Sequence, residues 1–383
     1  MEKICFVTTV PLTLRAFVID TAKYLHDQGG YDISFICDND PDFAASLPEY
    51  IHYHPVPMKR GISLGGIGAM LKMYRIFRKE NFNLVQYSTP NASLYASMAA
   101  WLAGVKHRKY HLMGFRYLGF TGIKKYIFST VEKLCCSLST DIECVSASNM
   151  ELGIRDKIFP AKKAHVLFHG SSAGVDLTIF DISKKAEWRA QLRKQFNLAD
   201  RECVFGFAGR ITRDKGINEL ISAFRNLNAT NSRLLIIGQH ENEDELDLEL
   251  WQWAKSCDNV VIHPFVNDIQ RYFAAMDVLI LPSYREGFGN IVIEAQAMGI
   301  PVIVSDIPGP VDAMIPQETG LVVPVKDSYA LMQAMATLSC DSTMRSFMGV
   351  NGRQFVEKYF DSKKVILAAY NELDRALSSD NVC

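Results

Sequence analysis

The chain has 383 residues, of which 48% are hydrophobic and 22% charged, and its net charge is −1. This length predicts two or three domains with enough apolar material for a core in each. The composition excludes disordered, collagen-like and disulfide-framework classes. Nine cysteines without a C-x-x-C pair are typical of reduced thiols, so we expect a cytoplasmic protein.

The charge is divided unevenly along the chain. Residues 1–170 carry a balance of +6, and residues 171–383 carry −7. This asymmetry predicts two domains that face different partners. The first apolar run is interrupted by Pro11 and favours a β-strand over a signal peptide, and no uninterrupted stretch is long enough to predict a membrane span.

Short apolar runs alternate with amphipathic stretches along the whole chain. In the first half the predicted strands are 4–8, 33–37, 84–87, 141–145 and 165–168, and the predicted helices include 17–27 and 69–80. In the second half the predicted strands are 204–208, 234–237, 260–263, 278–281, 302–304 and 321–323, with helices at 217–227, 246–255 and 290–298. This alternation predicts two Rossmann-like α/β units, 1–170 and 171–360, followed by a segment 361–383 with an amphipathic helix over 363–378.

Two common nucleotide-binding patterns are absent from the sequence. No G-x-G-x-x-G follows a predicted strand and no G-x-x-x-x-G-K-[ST] occurs, which argues against a dinucleotide oxidoreductase and a P-loop NTPase. Gly65, Gly66 and Gly68 precede a predicted helix, where we expect a flexible loop. No clustered Cys and His spacing indicates a metal site.

The most informative segment is LPSYREGFGNIVIEAQAMGIPVIV, residues 281–304. A strand is predicted to end at Leu281 and a helix to begin near Asn290, so backbone N–H groups at the helix start favour a phosphate. The glycines of the loop allow a ligand to approach the backbone closely. Glu286 and Glu294 flank this position and can accept hydrogen bonds from sugar hydroxyls, one on a hexose and one on a ribose. The alternative is a solvated loop carboxylate and an ordinary helix face.

A second segment, GRITRDKG, follows the predicted strand 204–208 directly. Arg210 and Lys215 therefore leave the carboxyl end of a strand, where ligands bind in open α/β sheets. A guanidinium and an ammonium at this spacing can neutralise a diphosphate leaving group. Two solvated loop cations are the alternative, but the carboxylate loop in the same half favours the functional interpretation.

Both segments resemble those of retaining GT-B glycosyltransferases of family 4, especially bacterial capsule and O-antigen sugar transferases. The spacing of Glu286 and Glu294 matches the E-x7-E signature of that family, and HGSSAGVDLTIF, residues 169–180, resembles the entry to its C-terminal domain. The N-terminal half is similar to the lipid-linked-oligosaccharide branch through VTTVPLTLRAF, QYSTPNASL and GFRYLGFTG.

The resemblance implies an α/β GT-B fold, with two Rossmann-like domains facing a cleft and a C-terminal helix crossing back onto the first domain. It implies that Arg210 and Lys215 stabilise the leaving diphosphate, that Glu286 contacts the transferred sugar, and that Glu294 binds the ribose. The other implied donor-binding residues are Gly287, Phe288, Gly289, Asn290 and Ile291 at the phosphates, Phe265 and Val266 at the base, and Pro11, Leu12, Thr13 and Arg116 in the first domain. No cofactor or metal is implied beyond the nucleotide-sugar donor, for which UDP is the favoured nucleotide.

The first domain departs from the family pattern at two positions. Many relatives carry Gly-Gly in the first loop, where this chain has PLTL at 11–14, and many place a His before a Gly, where this chain has Met-Gly at 113–114. His111 lies two residues earlier, and the sequence leaves open whether it is catalytic or a histidine at a strand end. Arg116 is an alternative ligand for the pyrophosphate of donor or acceptor.

Residues 106–133 carry seven Lys and Arg against one Glu, with six interleaved Phe and Tyr. A basic, aromatic-rich segment is typical of contact with an anionic membrane surface. Nucleic-acid binding produces a similar composition, but nothing else supports it, and ordinary helix packing with exposed lysines is the third alternative. We expect a peripheral protein on the inner face of the cytoplasmic membrane.

These observations predict a retaining glycosyltransferase for cell-surface polysaccharide synthesis. It would move a sugar, an N-acetylhexosamine or a related hexose, from a UDP-sugar to a polyprenyl-diphosphate-linked saccharide. Two alternatives are a nucleotide-sugar epimerase of the same architecture and a non-catalytic nucleotide-sugar-binding protein.

Overall fold

The structure is a computed structural model that describes residues 1–58, 65–228, 230–240 and 246–378. These residues divide into two compact units. The first consists of Met1–Ala173 with the described part of Lys363–Cys383, and the second of Gly174–Ser362. Residues 379–383 of the predicted last segment lie outside the described residues.

The first unit is built around a parallel sheet. Its strands are β1 (Lys3–Val7), β2 (Asp32–Cys37), β3 (Ile51–Pro55), β4 (Leu84–Tyr87), β5 (His107–Leu112), β6 (Asp141–Cys144) and β7 (Ala164–Val166), in the order β3-β2-β1-β4-β5-β6-β7. Its helices are α1 (Pro11–Phe17), α2 (Ile19–Gly29), α3 (Pro41–Ser46), α4 (Gly65–Glu80), α5 (Pro90–Ala103), α6 (Gly122–Leu138) and α7 (Ala147–Arg155). The strand order reverses direction between β1 and β4, which is a topological switch point.

The two faces of the first sheet differ in polarity. One face is apolar over its centre, where side chains such as Tyr87 and Tyr110 pack with Met73 and Phe77 of α4. The opposite face is apolar over β1 and β2 but charged over β5 and β6. Because successive side chains of a strand point to opposite faces, β5 can place Tyr110 on the apolar face while its neighbours Lys109 and His111 occupy the charged one.

The structure corrects several sequence-based expectations in this unit. Strands β3 and β5 were not predicted, because IHYHP and HRKYHL lack an apolar run. Gly65, Gly66 and Gly68 lie at the start of α4 rather than in a loop. Residue 66 fits as glycine because a Cβ there would lie 2.0 Å from the Tyr95 hydroxyl of α5. Residues 11–13 form the first turn of α1 instead of a loop, with Pro11 at the helix start where its missing N–H costs no hydrogen bond.

The second unit is also built around a parallel sheet. Its strands are β8 (Cys203–Ala208), β9 (Ser232–Ile237), β10 (Val260–His263), β11 (Val278–Leu281), β12 (Val302–Ser305) and β13 (Gly320–Val323), in the order β10-β9-β8-β11-β12-β13. Its helices are α8 (Lys185–Gln195), α9 (Ile217–Leu227), α10 (Leu248–Ser256), α11 (Ile269–Ala275), α12 (Asn290–Ala297), α13 (Ser328–Cys340) and α14 (Ser342–Tyr359). The six strands predicted from the sequence are confirmed, because strands buried on both faces are continuous apolar runs.

The last helix, α15 (Ser362–Ser378), packs on the first unit. Leu373 and Leu377 join the apolar core formed by β1, β2 and α2. Tyr31 donates a hydrogen bond of 2.7 Å to Asp374 Oδ1. The amphipathic helix predicted over 363–378 is therefore confirmed, and its apolar face is buried against the first sheet.

Candidate active site

The loops after β8 and β11 meet at the switch point of the second sheet. These strands are neighbours, but the chain continues from β8 toward one edge of the sheet and from β11 toward the other, so a crevice forms beyond their carboxyl ends. Gly216, with φ +73°, closes the first loop, and a Cβ there would lie 2.1 Å from the Pro282 carbonyl oxygen of the second. Glycine is therefore required for the two loops to approach this closely.

Lys215 and Glu286 join these loops through an ion pair. Lys215 Nζ lies 2.5 Å from Glu286 Oε1, and the Ser283 hydroxyl donates to the same oxygen at 2.8 Å. Both charged side chains are 15–18% exposed, so the pair is partly desolvated and still open to solvent. An ammonium and a carboxylate are thus held at the position where the fold class binds its ligands.

Arg210 belongs to the same group of charges. Its side chain is 48% exposed, and Nη2 lies 3.9 Å from Asp214 Oδ2. Arg285 donates to that same oxygen at 2.9 Å. Three cations, Arg210, Lys215 and Arg285, therefore lie around Asp214 and Glu286, and guanidinium and ammonium groups are suited to binding a diphosphate.

Helix α12 begins beside these charges. Its N-cap, Gly289, has φ +87°, and Gly309 approaches the preceding turn so closely that a Cβ would lie 2.7 Å from the Gly287 carbonyl oxygen. Phe288 is buried against Phe360 with ring centroids 5.3 Å apart, which anchors the turn.

The buried Oδ1 of Asn290 has no hydrogen-bond partner among the described residues. The helix start therefore presents backbone N–H donors, including that of Ile291, in a rigid turn.

Glu294 lies one turn into α12. Its side chain is partly buried, and burial raises the pKa of its carboxyl to about 7. Neither an ion pair nor a side-chain hydrogen bond links it to another residue within the described ranges. A carboxyl in this state gains most from a ligand that brings hydroxyl donors, because those bonds favour the ionised form.

Phe265 and Val266 follow the edge strand β10 after one intervening residue, at the same carboxyl edge of the sheet. Phe265 is 66% exposed and Val266 is half-buried. Strand β9 separates β10 from β8, so these two residues lie beside the charged group rather than within it. An exposed aromatic ring at a ligand-binding edge is suited to stacking on a flat base.

In the first unit the switch point between β1 and β4 is tied by two threonines. The Thr9 and Thr89 hydroxyls lie 2.7 Å apart, and Thr9 N donates to Thr89 Oγ1 at 3.0 Å. Thr89 has φ +69°, an unfavourable value for a β-branched residue, which these bonds hold in place. Arg116 reaches the start of the neighbouring helix α5, where its Nη1 donates to Asn91 Oδ1 at 3.2 Å. Its guanidinium also lies 4.6 Å above the ring of Phe128 in α6.

His111 lies in β5 and is 6% exposed. Parallel pairing of β5 with β6 places it beside Glu143, and its Nδ1 lies 2.8 Å from Glu143 Oε1. His111 also lines a cavity of about 30 Å³, together with Thr13 and Ser88, which has room for about two water molecules. Both sequence-based interpretations of His111 stay open, since it is a strand residue and it also borders a polar cavity.

Lys109 is the centre of a buried charge network on the same face. It contacts Glu143, 2.5 Å away, and Glu372 of α15. Burial opposes the charge on Lys109, but the two carboxylates hold its pKa above the ordinary value, and Lys109 with His111 holds that of Glu143 well below its usual range. The network ties the last helix to strands β5 and β6.

His165 extends this network to β7. Its Nδ1 lies 3.3 Å from Asp141 Oδ1 and its Nε2 lies 3.0 Å from Glu372 Oε2. Hydrogen bonds to Asp141 and Glu372 raise the pKa of His165 to about 10. The three residues also have ligand types that hold metal ions, with atoms within 4.8 Å of one another. The raised pKa favours a protonated histidine that bridges the two carboxylates.

The segment 106–133 is not one surface segment, contrary to the expectation. Its first third is strand β5, with Lys109, Tyr110 and His111 buried. Its last third begins α6, where Ile123 and Tyr126 are 79% and 75% exposed. Over the residues that the structure describes, no helix combines the length and apolarity needed to cross a membrane.

Sequence reasoning did not assign several charged residues. Asp214 and Arg285 lie inside the two recognised segments but received no role, and the signal for them was their position one residue before Lys215 and Glu286. Lys109 and its partners had no detectable signal, because strand β5 itself was not predicted. Glu372 comes from an element more than 200 residues away in sequence, so only the fold brings it to Lys109.

Comparison with known families accounts for most of the chain. The family model "Glycosyl transferases group 1" matches residues 189–355, and "Glycosyltransferase Family 4" matches residues 15–172. The capsular polysaccharide biosynthesis glycosyltransferase CapM of Staphylococcus aureus is 34% identical over 314 residues, which is 81% of each chain. The UDP-Gal:alpha-D-GlcNAc-diphosphoundecaprenol alpha-1,3-galactosyltransferase of Escherichia coli is 24% identical, over 87% of this chain and 86% of its own.

Solved structures of the same architecture cover nearly the whole chain. HepE of Anabaena in complex with UDP-glucose superposes with a TM-score of 0.78 at 20% identity, over 99% of this chain and all of its own. WaaG, a glycosyltransferase of lipopolysaccharide biosynthesis, has a TM-score of 0.73 at 16% identity, over 96% and 98%. Two parallel Rossmann-like sheets and these neighbours define the GT-B fold. The chain belongs to glycosyltransferase family 4 and is a glycosyltransferase, as its sequence predicts.

Proposed function

We propose that this enzyme transfers a sugar, an N-acetylhexosamine or a related hexose, from a UDP-sugar to a polyprenyl-diphosphate-linked saccharide during capsule or related cell-surface polysaccharide synthesis. The observation that carries the proposal is the paired Lys215 and Glu286 at the second switch point, beside the start of α12. CapM is named for capsular polysaccharide biosynthesis, and the Escherichia coli relative is named for UDP-galactose and a diphosphoundecaprenol acceptor. HepE binds UDP-glucose in its crystals.

The donor roles follow from the chemistry of the second unit. Lys215 and Arg210 stabilise the departing diphosphate, and the N–H groups at the start of α12 bind its phosphates. Glu286 accepts a hydrogen bond from the transferred sugar, and Glu294 accepts the ribose hydroxyls. Phe265 lies against the base. In this proposal the anomeric configuration is retained, and the leaving diphosphate assists the incoming hydroxyl.

The first unit takes the acceptor in this proposal. Arg116, whose guanidinium contacts Asn91 at the start of α5, is suited to a pyrophosphate, and the first turn of α1, residues 11–13, lies at the same switch point. His111 is held through Nδ1 by Glu143, so its Nε2 is the atom that can meet a substrate hydroxyl if the residue is catalytic. His111→Gln tests that role. If His111 is catalytic, its replacement should lower turnover and leave the affinity for UDP unchanged.

Nucleotide release from a panel of nucleotide sugars tests the donor assignment. We expect slow release from one UDP-sugar without acceptor and none from Glu294→Ala, whereas Glu318→Ala, an exposed carboxylate in the same unit, keeps the full rate. Release should persist in EDTA, because Arg210 and Lys215 supply the positive charge in this mechanism. Formation of an epimeric UDP-sugar would favour an epimerase, and UDP binding without any turnover would favour a non-catalytic binding protein.

We further propose that α6 contacts an anionic membrane surface at the inner face of the cytoplasmic membrane. Its exposed Ile123 and Tyr126 flank Lys124 and Lys125, which are also exposed. Exposed apolar side chains on either side of lysines suit the boundary between lipid headgroups and acyl chains. Binding to phosphatidylglycerol vesicles, but not to phosphatidylcholine vesicles, is the expected result.

The charge-reversed pair Lys124→Glu/Lys125→Glu should lose this vesicle binding. Lys157→Glu/Lys162→Glu, which makes the same change of net charge at two other exposed lysines of the first unit, should keep it. Equal binding by both double variants would contradict the assignment to α6 and leave only a non-specific effect of net charge.

A further inference from the structure

Tyr284 lies in the loop between β11 and α12, two residues before Glu286. Its neighbour Ser283 donates a hydrogen bond to the Glu286 carboxylate. The Tyr284 hydroxyl donates to a different element, the first turn of α9, where Glu219 Oε1 accepts the bond at 2.7 Å. The roles proposed for the donor-binding residues leave this hydroxyl without a task.

Glu219 depends on this bond. Its Oε2 is buried without a hydrogen-bond partner among the described residues, and within them the Tyr284 hydroxyl is the one donor to Oε1. Because an unsatisfied buried carboxylate is costly, the tyrosine hydroxyl is held firmly in place. Burial and Glu219 also keep the pKa of Tyr284 well above its ordinary value, so the hydroxyl keeps its proton and stays a donor.

Helix α9 is a firm support for the loop. Ile217 and Leu220, near its start, are fully buried in the core of the second unit. Lys326, between β13 and α13, holds its ammonium 4.6 Å from the centre of the Tyr284 ring, within the range of a cation–π contact. The hydroxyl and the ring of Tyr284 are thus each fixed by a separate element of the same unit.

We propose that Tyr284 is a positioning residue for the transfer reaction, because by anchoring the loop after β11 on α9 it keeps Glu286 beside Lys215. This inference rests on the proposed function, in which Glu286 contacts the transferred sugar and Lys215 the leaving diphosphate. The Tyr284 backbone N–H donates at 2.9 Å to the carbonyl oxygen of Asp214, the residue before Lys215. One residue therefore ties the loop of Glu286 both to the loop of Lys215 and to the helix that follows it.

Removal of the hydroxyl tests this role. Tyr284→Phe keeps the ring and the backbone bond but loses the bond to Glu219. We expect UDP release, from the UDP-sugar that the unmodified protein cleaves, to slow about tenfold, because a displaced Glu286 stabilises the transition state less well. The affinity for UDP itself, measured by calorimetry, should stay the same, since Glu294 and the start of α12 bind the nucleotide in the proposed function.

Tyr31→Phe is the matched control. It removes a hydroxyl–carboxylate bond of the same 2.7 Å length, to Asp374 in the first unit. Both variants should lose a similar amount of stability in denaturant unfolding, but Tyr31→Phe should release UDP at the full rate. An equal loss of rate in the two variants would overturn the role of Tyr284, because it would trace the loss to stability alone.

Variants of the two carboxylates test whether Tyr284 acts through them. Glu219→Gln keeps an acceptor for the hydroxyl and should retain most of the rate, whereas Glu219→Leu should lose as much as Tyr284→Phe. The double variant Glu219→Leu/Tyr284→Phe should lose no more than either single variant. In the Glu286→Ala background, Tyr284→Phe should cause no further loss, because the carboxylate that it positions is absent.

The outcomes distinguish this inference from the proposed function. Absence of UDP release from every UDP-sugar tested with the unmodified protein would overturn both. Release at an unchanged rate in Tyr284→Phe, weaker UDP binding in that variant, or a further loss in the Glu286→Ala background would overturn the role of Tyr284 alone. A loss of rate at unchanged UDP affinity, absent from the Glu286→Ala background, supports it.

Discussion

The two units share a sheet order around their switch points but use their charged residues differently. In the first unit Lys109 and Glu143 are 4% and 7% exposed and are covered by the last helix. In the second, Lys215 and Glu286 are 18% and 15% exposed and Arg210 is 48% exposed, at the ends of strands. A buried network constrains the structure, because each charge lacks any alternative partner, whereas a partly open one can exchange a protein partner for a ligand.

Lys109→Met, a change within the buried network of the first unit, should have the largest effect on stability. Glu143 and Glu372 would then face each other without the ammonium between them, and removing one member of a buried ion pair costs about 3–5 kcal/mol. We expect the first unit to unfold at lower denaturant concentration, with faster hydrogen exchange in β5 and α15. The triple variant Lys109→Met/Glu143→Gln/Glu372→Gln should recover most of the loss, and an unchanged denaturation midpoint in Lys109→Met would contradict the assignment.

Lys215→Ala and Glu286→Ala, in the second unit, should instead lower activity and change stability little. Each should lower turnover about 10²-fold, through loss of charge stabilisation in the transition state, while the free energy of unfolding changes by less than about 1 kcal/mol. Steady-state rates and denaturant unfolding measure the two effects. Lys194→Ala, an exposed lysine of α8, should change neither. Near-normal turnover in both site variants would contradict the role of the pair.

Glu294 should make UDP binding depend on pH. Its pKa is raised to about 7 by burial, so at pH 6 only about a tenth of the unbound protein has the carboxylate that accepts ribose hydroxyls. UDP affinity should therefore rise about tenfold between pH 6 and 8, with proton release on binding. Calorimetry in buffers of different ionisation enthalpy measures both, and Glu294→Gln should flatten the profile apart from the titration of UDP itself.

His165 should produce the smallest of these effects, a dependence of stability on pH, because its side chain is 34% exposed and its ion pairs are screened by solvent. Asp141 and Glu372 raise its pKa from 6.5 to about 10 in the folded protein. The stabilisation is therefore complete below pH 6.5 and is lost as the pH rises toward 10. Denaturant unfolding of the first unit at pH 6, 8 and 10 should show this fall, and His165→Gln should reduce it. His52→Gln, a more exposed histidine of the same sheet, should leave it unchanged.

Sequence patterns predicted the second sheet better than the first for a physical reason. Strands buried on both faces, such as β9 and β11, are continuous apolar runs and can be recognised one at a time. Strands β3 and β5 carry histidines, lysine and arginine whose partners lie on other elements. Their sequences are therefore typical of surface segments. For β5, only the fold shows that Glu143 and Glu372 lie beside Lys109.

The sequence by itself determined the alternation of strands and helices, the membership of glycosyltransferase family 4, and the two segments that carry Arg210, Lys215, Glu286 and Glu294. These features depend on local periodicity and on residues close together in the chain. Only the tertiary structure decided that Asp214 is shared by Arg210 and Arg285, and that Glu372 neutralises Lys109. Both depend on contacts between residues more than 70 positions apart, which parallel strand order and loop geometry bring together.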